Sequence, residues 1–148
     1  MQELKSSFIS NFIDDNRWRY ITDGLKITLL VTVFAVLIGV VLGFLIAIVR
    51  TTHDKTGKLK ILNAICKVYL TVIRGTPMMV QAMFIYYGSS YLFNINMSMW
   101  FAAIFIVSIN TGAYMAETVR GGIVSIDPGQ TEGAMAIGMN HWQTMLHV

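Results

Sequence analysis

The sequence predicts an all-α, multi-spanning transmembrane protein, and its composition and its charge-free runs carry that prediction. Hydrophobic residues make up 55% of the 148 residues and charged residues only 13%, against roughly 45–50% and about 25% in soluble domains. Residues 27–49 contain no charged side chain. That run exceeds the roughly 20 residues that cross the hydrocarbon core of a bilayer as a helix.

A second charge-free run, residues 75–116, is too long to be one helix across the bilayer. Gly, Ser and Asn cluster at residues 88–98, and such a cluster predicts a turn that divides the run. Only about 21 Å of helix fits between Gly75 and Gly88, so this span must begin earlier, and Pro77 should kink it. Three spans are therefore expected, at about residues 27–49, 68–88 and 99–117.

Small residues recur at every fourth position of the first span. They are Ala35, Gly39, Gly43 and Ala47. This spacing places them on one helical face, and helices in lipid associate where small residues allow the backbones to approach closely. The pattern predicts a packing seam against another helix or another subunit, although Gly and Ala are also common in membrane helices by chance.

Residues 60–74 have the pattern of an amphipathic helix. The polar side chains recur at helical spacing and form one stripe, made of Lys60, Asn63, Lys67, Thr71 and Arg74. Apolar residues cover the remaining surface. The pattern predicts a helix that enters the membrane at a slant from a basic surface.

The distribution of basic residues predicts the orientation of the chain. The connector from Arg50 to Arg74 holds six Lys and Arg residues, and the turn at residues 88–98 holds none, so the connector should face the cytoplasm. Residues 1–26 then form an extracytoplasmic or interfacial segment. Residues 27–120 form the transmembrane region, and residues 121–148 lie in the cytoplasm.

Three polar side chains are expected at membrane depth: Asn110, Glu117 and Arg74. Ionisable residues are costly there and usually face a cavity or an opposite charge. One interpretation is that they line a path for a solute. The alternative is that Glu117 lies in the interface and pairs with Arg120 or Arg74, while Arg74 extends to the lipid phosphates.

The closing segment has the signals of two short helices. Residues 127–129 predict a turn, Thr131 can cap a helix with Glu132 in its first turn, and Gly138 can end it in the left-handed conformation. Asn140 can cap a second helix. A short helix of small residues between spans is typical of a docking element, whereas composition alone would also allow an ordinary loop.

No pattern in the sequence points to an enzyme. Phosphate-binding loops and nucleophile motifs are absent from it. The single cysteine excludes an intrachain disulfide, and the three histidines follow no metal-binding spacing. They are His53, His141 and His147. We expect no cofactor, no metal and no nucleic-acid partner on this chain.

The segment TEGAMAIGM, residues 131–139, resembles the EAA loop of ABC-transporter permease subunits, in which Glu-Ala-Ala is followed by three residues and a Gly. Glu132, Ala134 and Gly138 match this pattern. Gly133 stands where the family usually has alanine, which keeps the side chain small but lowers helix propensity by up to about 1 kcal/mol.

Two longer stretches resemble the polar-amino-acid branch of these importers, which takes up histidine, arginine, glutamine or glutamate. They are RGTPMMVQ at residues 74–81 and AYMAETVRGGIVSIDPGQTEGAMAIGM at residues 113–139. The resemblance covers nearly the whole chain. It implies the fold of a type I importer permease, represented here by its N-terminal three spans and by a sequence that ends within the coupling loop.

The resemblance also implies a set of partners and a place in the cell. A second permease subunit, identical or paralogous, completes the pore in the bacterial cytoplasmic membrane, with the N-terminus outside. A cytoplasmic ABC ATPase dimer binds ATP-Mg, and a solute-binding protein delivers the amino acid from outside. The coupling residues are Glu132, Gly133, Ala134 and Gly138. A competing hypothesis is a small membrane-anchored interaction protein that binds another cytoplasmic partner.

Overall fold

The computed structural model describes residues 2–13 and 16–148, and within these ranges all regular structure is helical. The helices are α1 (Gln2–Phe8), a π-helical turn (Ile9–Ile13), α2 (Trp18–Thr56), α3 (Lys60–Gly75), α4 (Met78–Phe93), α5 (Met99–Ser125), α6 (Pro128–Ala136) and α7 (His141–His147). The predicted all-α class is confirmed.

Two of these helices are long and apolar enough to cross a membrane by themselves. Helix α2 has 39 residues and α5 has 27, while α3 and α4 together provide a third candidate span that bends by 106° at its break. The prediction of a multi-spanning helical membrane protein is therefore confirmed. The span limits at residues 27–49, 68–88 and 99–117 stay predictions.

The small-residue seam of α2 packs against α5. Its four residues are all buried: Ala35, Gly39, Gly43 and Ala47. A Cβ atom added at Gly39 would lie 2.7 Å from Cβ of Thr111, and one added at Gly43 would lie 2.6 Å from Cβ of Met115. Because both distances are shorter than carbon–carbon contact allows, only glycine fits at these two positions. The seam joins two helices of the same chain.

The break between α3 and α4 is fixed by the backbone and by one side chain. Thr76 and Pro77 both have extended backbone, with ψ of 144° and 133°, as expected for a proline and the residue before it. The Gln81 amide donates hydrogen bonds to the carbonyls of Ile73 at 2.8 Å and of Thr76 at 3.0 Å. The kink predicted at Pro77 is a complete break between α3 and α4. The Gln81 side chain ties α4 to the end of α3 across this break.

The turn before α5 is shorter than the sequence predicted. Gly88, Ser89 and Ser90 belong to α4, and the helix ends only at Asn94, whose φ of 54° is left-handed. The Ser89 hydroxyl donates to the carbonyl of Tyr86 within the helix. The predicted start of the turn at Gly88 is therefore wrong, because serine can satisfy its hydroxyl against the preceding helical turn and need not end a helix.

Candidate functional site

The carboxylate of Glu117 on α5 lies among three arginines. Nη1 of Arg50 lies 2.5 Å from Oε1, Nη1 of Arg74 lies 3.5 Å from the same atom, and Nε of Arg120 lies 3.8 Å from Oε2. The side chains of Arg50 and Glu117 are only 14% and 26% exposed. The cluster therefore joins α2, α3 and α5 through partly buried, charge-assisted contacts.

Positive charge exceeds negative charge in this cluster. Arg120 has a second partner, Oδ2 of Asp54 at 3.4 Å, so three guanidinium groups face two carboxylates. Partly buried charges are screened less than exposed ones, and Glu117 is the residue that all three arginines share. Glu117 contacts both arginines of the alternative in which it pairs with Arg120 or Arg74; its role stays a prediction.

Arg50 makes the shortest contact to Glu117 and is not among the predicted site residues. A signal for it was present. Arg50 is the first charged residue after the uncharged run of α2, and Glu117 is the first after the uncharged run that ends in α5. Two parallel helices that cross the same layer place such residues at the same end, so the two runs predict this pair.

Asn110 lies on the same face of α5 as Glu117, but the structure does not bring the two side chains together. They are two helical turns apart, or about 10 Å. Among the residues that the structure describes, the half-buried Asn110 side chain has no hydrogen-bond partner. Next to it, the Tyr69 hydroxyl donates to the carbonyl of Ile109 at 2.5 Å and ties α3 to α5.

Arg74 lies at the end of α3, where its side chain contacts α5 and is also partly exposed. Its guanidinium lies 5.6 Å from the centre of the Tyr114 ring, a distance typical of a cation–π interaction. Its side chain is 43% exposed. The structure thus places Arg74 at the edge of the Glu117 cluster.

The start of α6 differs from the prediction. Asp127, not Thr131, is the N-cap, because its side chain accepts a hydrogen bond from the Gly129 amide at 2.7 Å and Pro128 occupies the first helical position. Proline fixes φ at a helical value and lacks an amide hydrogen that would need a partner there. The predicted cap at Thr131 and the predicted place of Glu132 in the first turn are wrong.

The remaining helix signals of the closing segment are confirmed. Gly138 has a left-handed φ of 88° after α6. The Asn140 side chain accepts a hydrogen bond from the Gln143 amide, and the Gln143 side chain accepts one from the Asn140 amide, each at 2.9 Å. This reciprocal capping box fixes the start of α7. We call residues 127–148 the docking segment.

The docking segment leaves most of its predicted coupling residues accessible. Glu132, Gly133 and Gly138 are exposed, and only Ala134 is buried. Large apolar side chains are exposed beside them, each at 79%: Ile137, Trp142 and Leu146. Exposed apolar groups of this size are typical of a surface that binds another protein.

Comparison with known proteins identifies the class to which this fold and these motifs belong. Residues 39–148 match the family described as binding-protein-dependent transport system inner membrane component. The chain belongs to this family of inner-membrane transport proteins, and the predicted family of ABC-transporter permeases is confirmed.

Individual relatives point to amino-acid transport. The chain is 38% identical over 127 residues to the glutamine transport system permease protein GlnP of Escherichia coli K12, and equally so to GlnP of Shigella flexneri; each match covers 85% of this chain and 56% of the relative. A crystal structure of an amino acid ABC transporter with histidines matches with a TM-score of 0.72 and 39% identity, over 84% of this chain and 55% of that chain. The chain spans about half the length of the proteins it matches.

Proposed function

We propose that the chain acts as the permease, or pore-forming, subunit of an ATP-binding-cassette importer for a polar amino acid. Family membership supports the transport class, and the relatives named for glutamine or amino-acid transport support the substrate class. One structural observation carries the proposal. Helix α5 runs without a break from the buried seam, past Glu117, to the docking segment, so a force on that segment acts on the spans.

The docking segment would receive the cytoplasmic ATPase. Glu132 and Gly133 are exposed on α6, and a Cβ added at Gly133 or Gly138 has no neighbour within 4 Å, which leaves room for a partner. Ala134 is buried, in contrast to the exposed residues on either side of it. The ATPase dimer binds ATP-Mg and hydrolyses it, whereas this chain carries no cofactor and catalyses no reaction.

The remaining partners follow from the same proposal. A second permease subunit completes the pore, and a solute-binding protein delivers the amino acid from outside. The six basic residues between Arg50 and Arg74 support an orientation with the docking segment in the cytoplasm and the N-terminus outside. Both long spans expose apolar side chains that lipid or the second subunit would cover.

Asn110 and Glu117 are the proposed lining of the solute path. Asn110 offers an amide without a partner in the described structure, and amides suit the polar groups of an amino acid. Glu117 would change partners as the pore opens, because it is shared by arginines from three helices. Arg74 takes part through its contact with Glu117.

Co-purification with the ATPase tests the docking assignment. The full chain is co-expressed with the ABC ATPase encoded beside it, and retention of the ATPase is measured in detergent. Retention should fall at least tenfold for Glu132→Lys and remain unchanged for Glu3→Lys, which makes the same charge reversal on α1. Equal retention by both variants would contradict the assignment. Failure of wild type to retain the ATPase, with another cytoplasmic protein captured through Glu132, would favour the membrane-anchored interaction protein.

A further inference from the structure

Helix α3 presents three different faces. One face packs into the helix bundle through Asn63, Cys66 and Leu70, which are all buried. A second face is apolar and uncovered: Ile61, Ile65, Val68 and Val72 are 52–80% exposed. Between these faces runs the basic stripe that contains Lys67 and Arg74. A helix with one apolar and one basic face is typical of a membrane interface.

The basic stripe opens into a cavity with a volume of about 410 Å³. Four of its seven lining residues are charged, namely Arg50, Lys67, Arg74 and Glu117, and the other three are Leu70, Thr71 and Gly75. Three cations therefore face one carboxylate. Glu117 is already shared by Arg50 and Arg74, while the Lys67 side chain has no ion pair or hydrogen bond within residues 2–13 and 16–148. The excess of positive charge in the cavity favours the binding of an oxyanion.

The depth of the cavity in the membrane follows from its first residue. Arg50 comes directly after residues 27–49, the uncharged run that is predicted to cross the hydrocarbon core. The cavity therefore lies at the edge of that core, at the level of the lipid phosphates. Basic pockets between transmembrane helices at this level bind acidic headgroups.

We propose that the cavity formed by Arg50, Lys67 and Arg74 binds the headgroup phosphate of an anionic phospholipid, whose acyl chains cover the apolar stripe of α3. The excess positive charge of the cavity is complementary to an anionic headgroup. The neighbouring apolar face of α3, which forms the apolar stripe, would contact the acyl chains of the same lipid. A free phosphate or a solute carboxylate shares the oxyanion chemistry but leaves the four apolar residues of the stripe uncovered. The site does not depend on the transport function proposed above.

Lipid binding by the purified full chain tests this proposal. Phosphatidylglycerol is titrated into the delipidated protein in a neutral detergent, and bound lipid is counted by native mass spectrometry. We expect one phosphatidylglycerol to be retained much more strongly than phosphatidylcholine. Lys67→Gln should weaken this binding about fivefold, the effect of one cation near the headgroup. Lys58→Gln removes the same charge from the connector outside the cavity and should leave binding unchanged.

The other outcomes each overturn the proposal. Equal losses in the Lys67→Gln and Lys58→Gln variants would mean a diffuse attraction by the basic connector. Equal binding of phosphatidylcholine would mean that the apolar stripe alone holds the lipid. Displacement of phosphatidylglycerol by millimolar inorganic phosphate or by free amino acid would mean that the cavity is a site for soluble anions. Because Lys67 makes no contact that holds the fold, its substitution should not change the helicity of the protein.

Discussion

Glycines occur in two regions of this chain, and their surroundings differ. In the seam, Gly39 and Gly43 touch α5 so closely that no side chain would fit. In the docking segment, Gly133 and Gly138 have no neighbouring atom within 4 Å of an added Cβ. The seam glycines are explained by a helix of the same chain. Glycine at position 138 is explained by its left-handed backbone. No contact or backbone angle within this chain requires glycine at position 133, so a contact with a partner would explain it.

The charged residues show the same difference between the two regions. At the membrane end, Glu117 is surrounded by three arginines of its own chain. In the docking segment, Glu132 is exposed and forms no ion pair in the part of the chain that the structure describes. The contrast separates a carboxylate that is paired within the chain from one that is accessible to a second protein.

The largest effect is expected from filling the seam. Gly43→Val places a branched side chain where a single Cβ would already lie 2.6 Å from Met115 and 3.0 Å from the Ala116 amide. The free energy of unfolding should fall by about 3 kcal/mol, the upper range for overpacking. Equilibrium unfolding in mixed micelles measures this change. Gly24→Val on the same helix meets no neighbour, and because valine has a higher helix propensity than glycine it should change the free energy of unfolding by less than about 0.5 kcal/mol. Similar losses in the two variants would show that α2 and α5 do not pack here.

The second effect concerns the ion-pair cluster. Glu117→Gln leaves three guanidinium groups without their shared carboxylate, and it should lower the free energy of unfolding by about 2 kcal/mol, less than for a fully buried pair. The matched control is Asp23→Asn, which breaks the exposed pair with Lys26. This substitution should change the free energy of unfolding by less than about 0.5 kcal/mol. Equal effects in the same unfolding assay would argue against a partly buried cluster.

A smaller effect is expected where α3 is tied to α5. Tyr69→Phe removes the hydroxyl that donates to the Ile109 carbonyl, and the free energy of unfolding should fall by about 1 kcal/mol because one partly buried hydrogen bond disappears. Tyr91 is 90% exposed, so Tyr91→Phe serves as the control and should be neutral. Thermal unfolding in detergent measures both variants. An unchanged midpoint for Tyr69→Phe would contradict this contact.

The smallest effects separate the two glycines of the docking segment. Gly133→Ala fits without a clash and should stabilise α6 by about 0.5 kcal/mol. Gly138→Ala should destabilise the segment by about 1 kcal/mol, because alanine is strained at a φ of 88°. Hydrogen exchange of the α6 amides should therefore slow in the first variant and accelerate in the second. Changes of the same sign would contradict the two roles given to these glycines.

The sequence predicted the features that depend on local pattern. The apolar runs indicated the membrane spans, the four-residue spacing indicated the seam, and Asn140 was recognised as a cap. Residues 127–129 were predicted to be a turn because Asp-Pro-Gly is typical of turns, but in the structure Asp127 and Pro128 begin α6. The contact between Arg50 and Glu117, 67 residues apart, follows only when the ends of the uncharged runs of α2 and α5 are compared with each other; neither run alone indicates it.

The most direct test of the central claim, that the docking segment receives an ATPase, is protection of a single cysteine from labelling. Gly133→Cys is placed in a Cys66→Ser background, and maleimide labelling is timed with and without the ABC ATPase encoded beside the chain. Ser7→Cys on α1 is the control. We predict that the ATPase slows labelling at position 133 at least tenfold and leaves position 7 unchanged. Equal labelling rates at position 133 with and without the ATPase would contradict the account.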